Sequence, residues 1–297
     1  MTQLSVCILS FNRRDDLRET LGLLQGTLDG IGCTVEIIVV DNASTDGSAE
    51  AAAEFPSVRV IELAANIGMP AMNHAFAAAT GDVILALDDD SNPLDGLPGA
   101  LKHLTGNASL GALALRIEGG AFRLNGYTHG QPIMGYIGCG VLFKAEALRR
   151  AGGFAEWIFL YAHEWEHALR IWGAGYRIEY YDHCAIHHRA ARANRSARRL
   201  RTHTTRNELL ILHRYFRNRP DYPKLRGRTL TWNRLHALRE GTASLGYVNE
   251  GRAMADEAAE TLPPVDLATS VQECYIATHW SLQPVVTGLI RRALQRE

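Results

Sequence analysis

Along the first ninety residues, two apolar patterns take turns. Residues 4–10 (LSVCILS) form a short, nearly unbroken apolar run, the pattern of a strand buried on both faces. Asp15 or Asp16 then predicts a helix N-cap, and Leu17, Leu21 and Leu24 fall on one helical face. Residues 35–40 (VEIIVV) predict a second buried strand, closed by the polar loop Asp41-Asn42-Ala43-Ser44-Thr45-Asp46-Gly47-Ser48. A helix over 48–54, a strand over 58–63, a helix over 70–80 and a strand over 83–87 follow, the last ending in Asp88-Asp89-Asp90. Such alternation predicts an α/β protein with a mostly parallel sheet and right-handed crossovers. Ligands in such sheets bind beyond the carboxyl ends of the strands, where both acidic loops fall.

The second half is less regular. Residues 135–143 (GYIGCGVLF) predict a Gly-rich strand, 145–150 a short helix, and Gly152-Gly153-Phe154 a turn. A helix over 164–172 is stopped by Gly173 and Gly175, and strands are predicted over 176–181 and 184–188. Beyond this the chain reads as helical, with a break at Leu262-Pro263-Pro264, and is divided at residue 215 into a domain over 1–215 and a helical extension over 216–297.

Composition narrows the function classes. With 297 residues, 46% of them hydrophobic, the chain can bury a sizeable core and is not a disordered one. A net charge of −1 excludes a chain built as a whole to coat nucleic acid. Cys7, Cys33, Cys139, Cys184 and Cys274 are odd in number and lack C-x-x-C spacing, which argues against a disulfide framework or zinc ribbon and predicts a cytoplasmic protein. Neither a signal peptide nor an apolar run of about 18 residues is expected to direct it into a membrane.

The charge is unevenly spread. Residues 189–239 carry 14 Arg and 1 Lys against only Glu208 and Asp221. A solvated helix face, with partners supplied by the acidic first half, accounts for this. Alternatively, a closing loop over 189–199 holds a diphosphate, or the segment binds an anionic acceptor such as a lipid phosphate, or DNA or RNA. Residues 276–294 fit a basic amphipathic helix for core packing, homodimer formation or membrane-surface docking.

Three constellations carry chemistry. Clustered carboxylates at a strand end repel one another, so Asp88-Asp89-Asp90 calls for a counter-charge, naturally Mg²⁺ or Mn²⁺; a helix cap in a solvated loop is the plain reading. The Asp41 carboxylate can accept from a base N–H or a ribose hydroxyl, or simply cap the next helix. In His163-Glu164-Trp165-Glu166, Glu166 is the i,i+4 partner of Arg170, which leaves Glu164 freer to act as a general base; otherwise it is a first-turn carboxylate. His187 and His188 point to opposite faces of one strand, so one of them can enter a metal site.

Taken in order, the Asp41 loop, Asn66-Ile67-Gly68 with Asn73, GDVILALDDD over 81–90, GCGVLFKAEALRRAGGF over 138–154, FLYAHEWEHALRIWGAGY over 159–176 and His188 resemble the family 2 glycosyltransferases of the GT-A fold, including their rhamnosyltransferase-like branch. The resemblance spans residues 3–215. It implies a Rossmann-like, mixed, mostly parallel sheet flanked by helices, with a C-terminal helical extension. It also implies an inverting transferase that moves a sugar from a UDP- or dTDP-linked donor to an acceptor hydroxyl, with Mg²⁺ or Mn²⁺ as cofactor. By position, Asp41 contacts the base, Asp88 and Asp90 match the outer positions of the Asp-x-Asp motif that holds ribose and the metal-bound diphosphate, and Glu164 is the catalytic base. Asn66, Asn73 and Arg170 fall at donor-site positions, and His188 completes the metal site with His187 as fallback. Removing Asp90 is expected to cost metal-dependent donor binding and not the fold. The chain departs from the family at His163, where an acid is usual, at Glu166 in place of Asp, at His167 in place of Leu, and in the Asn66–Asn73 spacing.

Sugar and acceptor depend on residues 119–136 and the last third, where the resemblance is weakest. Two rival readings are a non-catalytic nucleotide-sugar or acceptor-binding protein and a sugar-nucleotide nucleotidyltransferase. The latter wants a Gly-rich loop where the chain has Ser10-Phe11-Asn12-Arg13-Arg14.

Overall fold

The protein is described from a computed structural model, which covers residues 3–119, 126–189 and 196–279. Four strands, β1 (Gln3–Ser10), β2 (Thr34–Asp41), β3 (Val58–Glu62) and β4 (Val83–Asp88), pair in parallel in the order β3-β2-β1-β4. The sheet continues through β8 (Val141–Lys144), antiparallel to β4, then β6 (Leu110–Glu118), β9 (Arg177–His188) and β5 (Ser91–Asp95), with the short β7 (Pro132–Ile133) also on β9. It is thus mixed but mostly parallel in its first half, as the alternation of the sequence predicts.

Because strand side chains alternate, each strand feeds two cores. Val6, Ile8, Val39, Leu85, Leu113 and Leu142 pack against Leu17, Leu21 and Leu24 of helix α1 (Arg14–Leu28) and Leu97, Leu101 and Leu104 of α4 (Leu97–Gly106). Cys7, Ile38, Ile84, Ala112 and Phe143 face the other way, onto α3 (Met72–Ala78), α5 (Ala145–Ala151) and α6 (His163–Gly173). Between β2 and β3 lies the short α2 (Ser48–Ala53).

Four helices follow: α7 (Ala197–Phe216), α8 (Tyr222–Glu240), α9 (Ser244–Ala259) and α10 (Thr269–His279). Ile211, Leu212, Tyr215 and Phe216 of α7, Leu225 of α8 and Val271 and Tyr275 of α10 join the second core. Among the described residues, no helix is long and apolar enough to cross a membrane.

Several local expectations are corrected. Neither Asp15 nor Asp16 caps α1; both lie in its first turn. The cap is non-local, since Asp46 Oδ2 accepts from the Arg14 N–H at 2.9 Å and Ser48 Oγ from the Arg13 N–H at 3.2 Å. The 70–80 helix is a 3-10 turn, Met69–Ala71, leading into α3. Of the Gly-rich 135–143 run only Val141–Phe143 is strand, continuing to Lys144, while the ring of Trp165 lies so close to Gly135 that no side chain would fit there. The two strands expected over 176–188 are one, β9, whose register against β6 shifts between Leu115 and Arg116.

The arginine-rich segment finds its acids in the extension itself rather than in the first half. Arg198 pairs with Glu250 at 2.8 Å, Arg201 with Glu240, Arg219 with Asp221 at 2.8 Å and Arg226 with Asp256. Arg189 does reach the first half: it stands 3.6 Å from Glu19 and donates to Asn92 at 2.9 Å and to Thr20 and the Asp16 carbonyl of α1. Arg192 and Arg195 of the expected closing loop, and residues 280–294 of the expected amphipathic helix, lie outside the described residues.

One half-buried acid sets a pH dependence. Glu208 on α7 accepts from Asn233 of α8 at 2.6 Å, and burial pushes its carboxyl up to about 7. Below the unfolded value near 4.5 both states are protonated. As pH rises toward 7 the unfolded chain ionises first, so stability falls, by about 3 kcal/mol at most. Melting temperatures between pH 4.5 and 8 are expected to decline less in Glu208→Gln than in the parent, and an unaltered slope would refute the assignment.

Candidate active site

The site forms where the carboxyl ends of β1, β2 and β4 lie side by side. Ser10 pairs with Asp41 and Leu9 with Asp88, so the two acidic loops flank the end of β1. The β5–β9 pairing sets Ser91 opposite His188 and brings the imidazole to the carboxylates.

Arg13, just beyond β1, supplies a counter-charge from the protein itself. Its Nη1 lies 3.0 Å from Asp89 Oδ1 and 3.0 Å from Asp90 Oδ2. Asp90 is fully buried, and its Oδ1 is 3.2 Å from His188 Nε2. Burial holds the Asp89 carboxyl at about 7 in spite of Arg13. Burial, then the charge of Asp90, also raises the Asp88 carboxyl above the ordinary range. His187, the fallback, is turned away toward Gly119.

Donor atoms of Asp88, Cys139 and His188 all lie within 4.8 Å of one another. These three residues can hold a divalent ion, and their mixed oxygen, sulfur and nitrogen donors are softer than the all-oxygen shell that Mg²⁺ prefers. Cys139 was not foreseen. Burial, with the charges of Asp88, Asp90 and Glu164, raises its thiol well above the usual range, so the sulfur lies within the field of both the acidic run and the expected base.

At the Asp41 loop, Oδ2 accepts from the Ser44 N–H at 2.9 Å, while Oδ1 is buried and has no hydrogen-bond partner among the described residues. An unsatisfied buried carboxylate oxygen costs on the order of 1–3 kcal/mol, so it marks a place where a ligand N–H or O–H is wanted. Asn66 is spent on the loop itself, accepting from Asn42 Nδ2 at 3.0 Å and from the Gly68 N–H at 2.9 Å. Gly68 has φ 72°, and a Cβ there would meet the Phe159 carbonyl at 2.0 Å, so the loop closes onto the approach to α6 only with glycine.

That approach is fixed by strained backbone and by α7. Tyr161 (φ 68°) and Ala162 (φ 58°) adopt the left-handed conformation immediately before α6. From α7, Asn207 Nδ2 donates to the carbonyls of Leu160 at 2.8 Å and Tyr161 at 2.9 Å, while Arg206 donates to the Trp157 carbonyl at 2.9 Å. Glu164 is partly exposed, with its Oε2 3.2 Å from Nδ1 of His163. The imidazole standing where the family has an acid therefore contacts the expected base directly.

The remaining expected site residues are structural braces. Arg170 forks onto Glu166 with two 2.8 Å bonds and donates to the Ala151 and Gly153 carbonyls at 2.6 Å each, so its guanidinium faces the protein and not a donor. Tyr215 donates to Glu166 Oε1 at 2.5 Å. Asn73 spends its amide on Phe154, donating to the carbonyl at 2.8 Å and accepting from the N–H at 2.7 Å. His167 bridges the Gly152 carbonyl at 2.9 Å and the Tyr136 hydroxyl at 2.7 Å, and burial holds its imidazole well below the usual range.

The sequence model of glycosyl transferase family 2 matches residues 5–152, a stretch that includes the Asp41 loop and the acidic run. The chain belongs to glycosyl transferase family 2. It is 29% identical over 123 residues to a dolichol-phosphate mannosyltransferase of Pyrococcus furiosus, covering 40% of this chain and 34% of that protein. It is 37% identical over 101 residues to an undecaprenyl-phosphate 4-deoxy-4-formamido-L-arabinose transferase of Edwardsiella ictaluri, covering 32% and 31%. This family 2 chain thus spans about a third of the length of the curated relatives it matches. Among solved structures it resembles the mannosyltransferase PcManGT from Pyrobaculum calidifontis in complex with GDP-Man and Mn²⁺, with a TM-score of 0.58 at 19% identity over 96% of this chain and 83% of that one. It also resembles GalNAc-T7 with UDP, GalNAc and Mn²⁺, with a TM-score of 0.63 at 14% identity over 95% and 58%. At these identities the likeness shows the fold, which is GT-A with C-terminal helices.

Proposed function

We propose that this glycosyltransferase is an inverting enzyme that moves a sugar from a nucleoside-diphosphate donor, UDP- or dTDP-linked, to an acceptor hydroxyl. The observation that carries the reading is the juxtaposition of the Asp88–Cys139–His188 cluster with Glu164, whose Oε1 would stand 3.5 Å from a Cβ on the adjacent Gly138, and an unsatisfied Asp41 oxygen at the end of β2. Asp41 accepts from the base or ribose. Asp88 and His188, with Cys139, hold a divalent ion, while Asp90 keeps His188 in place from the Arg13 side. When bound, Mg²⁺ or Mn²⁺ stabilises the charge that develops on the departing diphosphate. Glu164 removes the acceptor proton, and inversion by in-line displacement needs no second carboxylate, in contrast to glycoside hydrolysis. Two structural neighbours are complexes with Mn²⁺ and either UDP or GDP-Man, which supports a metal-bound nucleotide donor and adds GDP-linked sugars to the nucleotides worth testing. The base, the acidic run and its metal donors are all present, which weighs against a purely binding role.

A thermal-shift screen of UDP-, dTDP- and GDP-sugars with and without Mn²⁺ tests this. A donor at a hundred times its Kd stabilises the fold by about 2.7 kcal/mol. One nucleotide class is expected to raise the melting temperature, and only with the metal. No shift with any donor, or a shift indifferent to metal, would refute the reading.

A further inference from the structure

A second cluster of metal-ligating side chains lies on the outer part of the sheet, in residues that the transfer reaction does not use. His129 stands in the turn that leads into β7, while Asp182 and His183 stand at the irregularity of β9 between Tyr181 and Ala185. Their donor atoms all lie within 4.8 Å of one another. His129 Nδ1 is 2.9 Å from Asp182 Oδ1, and His183 Nδ1 is 3.4 Å from the same oxygen. The two imidazoles face each other with centroids 4.0 Å apart. In a tetrahedral site with ligands at about 2.0–2.2 Å, neighbouring donors are about 3.3–3.6 Å apart, so the apo side chains already stand near ligating positions.

The shift of register against β6 is what makes this cluster. In a regular strand, Asp182 and His183 would point to opposite faces. Here the extra residues bulge, and both side chains reach the His129 turn. That turn is otherwise anchored to β9 by the backbone: the Gly130 N–H donates to the Tyr180 carbonyl at 3.0 Å, and the Tyr180 N–H to the Gln131 carbonyl at 2.9 Å. Support comes from behind. His103 of α4 bonds Glu179 at 2.7 Å, and its ring and that of His129 both lie against Tyr181, at 5.1 and 5.0 Å.

We infer that His129, Asp182 and His183 form a second metal site, a zinc clip of two imidazoles and one carboxylate that fastens the 126–131 turn to β9. Two imidazoles and a carboxylate suit Zn²⁺ rather than Mg²⁺, with water completing the tetrahedron. Fastening the turn has a consequence at the transfer site, because the same segment runs on through β7 to Tyr136, Gly138 and Cys139. The clip is therefore a means of stiffening one wall of that site from outside, and it stands whether or not the transfer reading does.

The test uses the full chain and Zn²⁺ alone, competed against a chromogenic chelator, with Mg²⁺ as a control. The chain is expected to bind zinc at the clip without competition from excess Mg²⁺. His129→Ala and His183→Ala, alone and together, are expected to weaken that binding at least about tenfold and to lower the zinc content by one ion per chain. Zinc should slow hydrogen exchange over 126–133 in the parent and not in the double variant. His183 is largely exposed, with 68% of its side chain accessible, so its removal leaves the fold in place. Unchanged zinc affinity and content in the variants, or exchange over 126–133 indifferent to zinc, would overturn the clip and leave surface binding of zinc as an adventitious event. Cobalt substitution gives an independent reading: removing both histidines should take away the visible absorption of one tetrahedral Co²⁺ per chain, and a cobalt spectrum unchanged from the parent's would also overturn it.

Discussion

Glu164→Gln is expected to lower turnover of the nucleotide-sugar donor by about 10²–10⁴-fold and to leave donor affinity unchanged. The amide keeps the shape of the side chain and cannot take a proton. Donor affinity rests elsewhere, on the Asp41 loop and the Asp88–His188 cluster. Glu166, two residues along the same helix, is the internal control. Its carboxylate is buried, forked to Arg170 and bonded by Tyr215, so Glu166→Gln breaks a buried ion pair and should cost about 3–5 kcal/mol of stability. Turnover and melting measured on both variants separate the roles. A Glu164→Gln enzyme with near-parental turnover would remove the base from Glu164 and direct attention to His163, which touches it, or to Glu166.

The alternation of short apolar runs with helical spacing was enough to read the parallel half of the sheet, because a doubly buried strand and a one-faced helix leave different periods. Reading stopped where packing overrides local pattern. β5 carries Pro93 and only one large apolar residue, yet it is strand because it pairs with β9 and delivers His188 to Asp90. The glycines of 135–140 read as strand, although what they provide is room for Trp165 and Ile186. As candidates for the site, Asp41, Asp88 and His188 stood out because each ends a strand, Asp90 because it stands in the turn just after β4, and Glu164 because it opens a helix. Asn73 and Arg170 were placed in the donor site by the resemblance, and the Glu166–Arg170 pair was legible from its i,i+4 spacing, but their other partners, the backbone of Ala151, Gly153 and Phe154, leave no trace in composition. Arg13, Cys139 and Asn207 were missed for a related reason: each acts on residues more than 40 positions away. The Arg13 contact had a signal, since parallel β1 and β4 must end side by side once they are neighbours around the first crossover.

Asp88→Asn is expected to abolish Mn²⁺-dependent donor binding while the metal-free protein melts at or above the parental temperature. The carboxylate sits at the end of β4, where burial and the charge of Asp90 both disfavour its ionised form. Removing that charge relieves repulsion within the buried acidic run, and the amide still fills the space. What is lost is an anionic oxygen beside Cys139 and His188, and with it the affinity of a hard divalent ion. Asp90 behaves differently from the sequence-based expectation that its loss would spare the fold. It is fully buried, paired to Arg13 at 3.0 Å and 3.2 Å from His188, so Asp90→Ala takes one of two acidic partners from the half-buried Arg13, removes the carboxylate beside the buried His188 and should cost about 1–3 kcal/mol before any donor is added. Melting each variant in EDTA, in Mn²⁺, and in Mn²⁺ with donor distinguishes them: Asp88→Asn should start at or above the parent and lose both the Mn²⁺ increment and the donor increment, and Asp90→Ala should start lower. If Asp88→Asn keeps a full metal-dependent donor shift, the ion is held by other side chains. If it melts well below the parent in EDTA, Asp88 is a structural residue and the strained, ligand-seeking character assigned to the acidic run is wrong.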